Sequence, residues 1–200
     1  MRKRLWAGVV VLGLAVGVSA RADSGWGFYG SYWDAGDLAD TYGAGGDISM
    51  EMIPNVRLDV RCAVFSNVNL ENAAGKSSMD ITPLDAILLV VIPAGERWNV
   101  YGGGGISYYF ISSDFTPNPG VKNVSVDSDD EIGGLALVGA EFNVVNNKRL
   151  AGSTRTTLFT EVTGRFLEAN NAVVTSATAP AADDASLNGV GANVGLMIRW

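Results

Sequence analysis

LNGVGANVGLMIRW, residues 187–200, decides the fold. Its even positions read Val190, Ala192, Val194, Leu196, Ile198 and Trp200, and its odd positions Gly189, Gly191, Asn193, Gly195, Met197 and Arg199. Side chains of a strand alternate between two faces, so this segment predicts a strand that is apolar on one side and small or polar on the other. Residues 55–65 repeat the rule, with Val56, Leu58, Val60, Cys62 and Val64 set against Arg57, Asp59 and Arg61. A helix would put Arg57 and Arg61 on the face of Leu58 and leave no amphipathic stripe.

The same period predicts eight strands, at about 25–33, 40–51, 55–65, 79–92, 98–112, 130–145, 155–167 and 187–200. Each is long enough to cross a bilayer as a tilted barrel strand of about 9–11 residues. The connections, of about 6, 3, 13, 5, 17, 9 and 19 residues, alternate long and short, as expected when one barrel end carries loops and the other turns. The predicted fold class is all-β: an eight-stranded antiparallel up-and-down transmembrane β-barrel. Strand four departs from the pattern, because 86–92 (AILLVVI) is apolar on both faces and its register cannot be assigned by alternation.

Composition removes much chemistry. The 200 residues contain no histidine and one cysteine. Catalytic triads that use histidine, the H-E-x-x-H zinc site and intrachain disulfides are therefore excluded. Glycine is abundant, at 25 residues, nearly twice the usual share of about 7%.

The N-terminus carries a second message. Basic Arg2, Lys3 and Arg4 precede the uncharged run 5–18, and Ala20 and Ala22 stand where an A-x-A cleavage site needs small residues. This is the three-part signature of a secretory signal peptide, expected at 1–22, with the barrel domain at 23–200. The run is short of the roughly 20 residues that a spanning helix needs. Loss of Arg2, Lys3, Arg4 and Arg21 takes the net charge from −7 to about −11, which disfavours nucleic acid as a partner.

Periodicity alone does not say which face is wet. Three features favour lipid outside and polar groups inside. The apolar faces are unbroken, and the opposite faces carry glycine rather than the Lys and Glu of a hydrated surface. Both charge signs fall on the same inward parity: Asp47, Arg57, Asp59, Arg61, Asp85, Glu141, Glu161, Arg165 and Arg199. Trp26, Tyr42, Trp98, Tyr108 and Trp200 lie near strand ends, where a membrane interface favours them.

With its signal peptide, eight alternating strands and final aromatic, the chain resembles the small bacterial outer-membrane β-barrel family, which includes the OmpA transmembrane domain and the OmpX- and OmpW-like proteins. YGGGGISYYF (101–110), GGLALVGAEFNV (133–144) and TLFTEVTGRF (157–166) are similar to its glycine- and aromatic-rich strands. The resemblance implies outer-membrane residence, termini in the periplasm and long connections outside the cell. It makes the bilayer, lipopolysaccharide and the barrel-assembly machinery the expected partners, with Trp200 in the place of the assembly signal. No peptidoglycan-binding domain is expected after Trp200. Proteases and lipid A-modifying enzymes of similar fold rely on a histidine that this chain lacks.

Other motifs are weaker. Glu141 and Glu161 are expected to be diagonal neighbours, and paired carboxylates can hydrolyse glycosides. Pairing with Arg165 and Arg61 inside a filled barrel is the better reading, because buried charges need partners. AAGKSS (73–78) ends like a phosphate loop, but Leu70 occupies the place of its first glycine and no helix follows. Gly102 to Gly105 lie within a strand, which suits close packing in a tight barrel. Asp127, Asp129, Asp130 and Glu131 could bind a divalent cation, though glycine is misplaced for a calcium loop. Asn123-Val124-Ser125 is a glycosylation sequon without meaning in a bacterium, and Cys62 is expected to face lipid.

The expected protein is a non-enzymatic barrel, without cofactor or metal, plugged by an ionic network and acting through its loops. A narrow channel for ions or small apolar solutes and a soluble lipocalin-like periplasmic carrier are the alternatives. A closed barrel has no free edges and no structural need to oligomerise, so a monomer is expected.

Overall fold

The computed structural model describes residues 24–34, 40–72, 75–117, 125–127, 130–147, 154–169, 173–175, 185–186 and 188–200. The expected signal segment lies outside them. Eight strands form the closed barrel: β1 (Gly25–Asp34), β2 (Thr41–Ile53), β3 (Val56–Asn72), β4 (Gly75–Pro93), β5 (Trp98–Pro117), β6 (Glu131–Asn147), β7 (Thr154–Phe166) and β8 (Gly189–Arg199). Each pairs antiparallel with its sequence neighbour, and β8 closes onto β1 through Trp26↔Ile198. No helix among the described residues is long and apolar enough to cross a membrane, which says nothing of a β-barrel.

Register fixes the barrel's dimensions. From Ile198 the row runs through Trp26, Ile48, Val60, Ala86, Ile106 and Gly134 to Phe166, ten residues along β7 from Thr156, the residue paired with Ile198. A shear of ten over eight strands gives a tilt of about 40° and a Cα radius of about 8 Å, which leaves room inside for side chains only.

The turns follow local chemistry. Pro54-Asn55 joins β2 to β3, and Asn55 has φ 65°. Proline fixes its own φ near −65°, so only the second turn residue can be left-handed, and asparagine tolerates that region. The ladder shifts between Glu51 and Ile53, absorbing the misfit of this turn with the strand twist.

The connections differ from expectation at the opposite end. The residues between strands three and four are mostly strand: β3 and β4 continue as a hairpin to Asn72↔Gly75. β5 likewise runs on to Pro117. Alternation is visible only where one face is apolar, whereas backbone pairing needs no particular side chain. Composition therefore marks the end of the apolar alternation and not the end of the ladder. Within the longer connections, Ser125–Asp127 pairs with Val173–Thr175, and Glu168–Ala169 with Ala185–Ser186.

Strand four resolves cleanly. Asp85, Ile87 and Leu89 are buried in the lumen, while Ala86, Leu88, Val90 and Ile92 face outward. Glycines relieve crowding on the facing strand. A Cβ on Gly105 would overlap the backbone oxygen of Ala86, whereas one on Gly30 would meet open space. Gly105→Ala is expected to destabilise the barrel by about 1–3 kcal/mol through overpacking, with Gly30→Ala near neutral; denaturant midpoints compare the two.

Candidate functional site

The outer wall is apolar between two aromatic rows. Trp26, Phe28, Trp98, Phe142 and Trp200 face outward toward the end with the tight turns and both strand termini. Tyr42, Tyr108 and Phe166 face outward toward the other end. Ten residues separate Tyr42 from Met52, and Trp98 from Tyr108. At about 3.3 Å per residue and a tilt of about 40°, that is a height of about 25 Å, the depth of the apolar band of membrane barrels. Leu88, Ile106, Val138, Val162, Val194 and Leu196 fill the space between, all exposed. Cys62 lies among them, half-buried between Val60 and Val64.

The lumen is the reverse. Asp47, Arg57, Asp59, Arg61, Asp85, Glu141, Glu161, Arg165 and Arg199 are all at most 6% exposed. Near the turn end, Glu141 Oε2 accepts from Arg57 Nη1 at 3.1 Å and from Arg199 Nη2 at 2.8 Å, while Asn99 Nδ2 donates to Oε1 at 2.9 Å. Arg57 Nε lies 3.1 Å from Asp59 Oδ1. At mid-height Arg61 spans two carboxylates: Nη2 donates to Asp59 Oδ2 at 3.0 Å, and Nη1 donates to Glu161 Oε1. Glu161 also accepts from Tyr101 Oη at 3.0 Å and Asn193 Nδ2 at 2.7 Å. Toward the loop end Arg165 grips Asp85 with both terminal nitrogens, at 3.1 and 2.8 Å, and Ser107 Oγ donates to Asp85 at 2.6 Å.

Two apolar clusters pack inside the lumen beside this network. Tyr29, Trp33, Ala63, Phe65, Ile81, Tyr109, Phe159, Leu167 and Met197 form one, and the Arg165 guanidinium lies 5.7 Å from the Trp33 ring centroid and 5.8 Å from that of Tyr109. The second, Ile87, Leu89, Tyr101, Leu135 and Leu137, lines the β4–β6 wall. The apolar stretch of strand four thus supplies packing inside the lumen.

The partners differ in detail from the expected ones. Glu141 and Glu161 are diagonal neighbours, through Glu141↔Phe159 and Gly139↔Glu161. Arg61 takes Glu161, but Arg165 takes Asp85, and Glu141 is held by Arg57 and Arg199. The acceptors of both glutamates are committed to guanidinium, amide and phenol donors, which suits structural ion pairs. Tyr101, Asn99, Ser107 and Tyr109 complete the network with Asn193, which alternation already set on the polar face; Asn99, Ser107 and Asn193 stand opposite Glu141, Asp85 and Glu161 in the ladder, a signal that only the register reveals.

Elsewhere, Gly75 to Ser78 of the phosphate-loop-like segment are strand residues of β4, and Gly102 to Gly105 are strand residues of β5. Asp130 accepts from Tyr108 Oη at 3.3 Å and from the Ile111 N–H at 3.4 Å. Asp129 and the side chain of Asp127 lie outside the described residues, and among those described no group of three or more acidic, histidine or cysteine side chains is placed to hold a metal.

A closed barrel of eight strands, greasy outside and charged inside, is an arrangement found in the outer membranes of bacteria. The fold is that of the small outer-membrane β-barrels. The chain is similar to Neisserial surface protein A, at 11% identity and TM-score 0.62, over 92% of this chain and 100% of that one. It is similar to OprG of Pseudomonas aeruginosa, at 12% identity and TM-score 0.60, over 90% and 97%. Ail, the attachment invasion locus protein of Yersinia pestis, aligns at 10% identity and TM-score 0.51, over 90% and 100%. No protein-family model and no curated sequence matches the chain.

Proposed function

We propose that this chain is a non-enzymatic integral protein of the bacterial outer membrane whose barrel is closed by its own side chains and whose role is exercised by its loops at the cell surface. The observation that supports this reading is a lumen lined by buried ion pairs and packed side chains. Ion pairs and two apolar clusters line it inside an apolar exterior. A soluble carrier would need the opposite arrangement, with charge outside and an apolar cavity within. The turn end then faces the periplasm and the extended β3–β4 hairpin faces outward, into the lipopolysaccharide layer and beyond. Trp200, whose N–H donates to the Ser24 carbonyl at 2.9 Å, is the aromatic offered to the barrel-assembly machinery. The names of two similar proteins, one a surface protein and one an attachment and invasion protein, are in keeping with a surface role.

Conductance in planar bilayers tests closure. The refolded chain is expected to insert without discrete current steps. Steps that scale with the amount of inserted protein would replace this reading with the narrow channel.

A further inference from the structure

Among the described residues the fully buried charges of the lumen do not balance; Glu51 and Arg155, only partly buried at its turn end, add one charge of each sign. Five buried carboxylates (Asp47, Asp59, Asp85, Glu141 and Glu161) face four buried guanidiniums (Arg57, Arg61, Arg165 and Arg199). Four of the carboxylates hold a guanidinium at ion-pair distance. Asp47 is the fifth. It is 3% exposed, and neither of its oxygens meets a hydrogen-bond donor among the described residues. Its register partner is Arg61, whose two terminal nitrogens are directed to Asp59 and Glu161 instead.

A further acceptor lies on the same wall. Ser49, two residues along the lumen face of β2, is fully buried with its hydroxyl unpartnered. Asp59 pairs with Ser49 in the ladder, but its Oδ1 is held 3.1 Å from Arg57 Nε. The facing position on β1 is Gly27, where a Cβ would overlap Asp47 Oδ1, so the carboxylate itself takes up the room that glycine leaves. An ionised carboxylate buried without a partner is strongly disfavoured, and the excess is one negative charge.

We propose that Asp47, with Ser49 beside it, binds one further monovalent cation and thereby brings the lumen to neutrality. The ligand chemistry is a single positive charge at the carboxylate. It is supplied either by a small alkali-metal ion, a hard cation suited to carboxylate and hydroxyl oxygens, or by a proton on the Asp47 carboxyl. The groups that face Asp47 are Tyr29 of β1, Asp59 and Arg61 of β3, Glu161 of β7 and Arg199 of β8. The inference rests on a lumen closed to bulk water, which conductance tests separately.

The experiment uses the full chain refolded in detergent micelles, with its thermal midpoint read from the gel shift of the folded band. Sodium chloride replaces choline chloride at constant ionic strength and pH. In the sodium arm the wild-type midpoint rises with sodium, Ser49→Ala weakens the response and Asp47→Asn abolishes it. In the proton arm sodium has no effect. The wild-type midpoint then falls as pH rises above the ordinary carboxylate range, because the native chain holds a proton that the unfolded chain has released. Asp47→Asn removes that slope, together with the infrared carbonyl band of a protonated acid, and Ser49→Ala leaves both in place. Wild type and Asp47→Asn with identical dependence on sodium and on pH would overturn the proposal.

Discussion

Replacing Arg61 with alanine is expected to lower the unfolding free energy by about 3–5 kcal/mol, the usual cost of stranding a buried charge. Arg61 is the one side chain that joins Asp59 to Glu161, at 3% exposure. Its loss leaves Glu161 with only the amide of Asn193 and the phenol of Tyr101. Neutralising the stranded acid relieves the penalty, so Arg61→Ala combined with Glu161→Gln is expected to be more stable than Arg61→Ala alone. Denaturant midpoints of the refolded barrel read both effects. An unchanged midpoint in Arg61→Ala would contradict the dry pairing of these groups.

The second large effect lies on the other face. Val138 is 63% exposed on β6, between the aromatic rows. If lipid covers it, Val138→Arg costs about 2–4 kcal/mol, the range for a cation near the bilayer midplane, and Asp34→Arg beyond the outer aromatic row costs about 0–1. If water covers it, Val138→Arg is an ordinary surface change worth about 0.5 kcal/mol or less. Unfolding from lipid vesicles distinguishes the two environments. Together the substitutions at 61 and 138 ask which face of the same sheet is dry and which is oily.

The fold was legible because alternation is a local property. Val190 to Trp200 and Val56 to Val64 each assign their own two faces without reference to the rest of the chain. The hairpin beyond Phe65 was not legible, since the Asn-, Ala-, Gly- and Ser-rich composition of NVNLENAAGKSS reads as a loop. Strand four was ambiguous for the opposite reason: Ile87 and Leu89 are apolar inside and Leu88 and Val90 apolar outside, so only pairing with β3 and β5 fixes its register.

The site was legible by membership and not by pairing. Inward parity identifies Arg61, Arg165, Glu141 and Glu161 as lumen residues one at a time. Which acid meets which base depends on a shear of ten accumulated around eight strands. Arg61 and Glu161 are 100 residues apart in sequence, and Arg165 and Asp85 are 80 apart. The aromatic cluster of Trp33, Phe65 and Tyr109 was missed for the same reason, since each looks like an isolated aromatic until the barrel brings the three together.

Fractionation of cells expressing the full chain, followed by electrophoresis with and without boiling, tests the central claim most directly. The account predicts that the protein pellets with outer membranes and that its unboiled band migrates differently from the boiled one, because the closed barrel resists detergent. Recovery in the soluble periplasmic fraction, with a single mobility whether boiled or not, would contradict it.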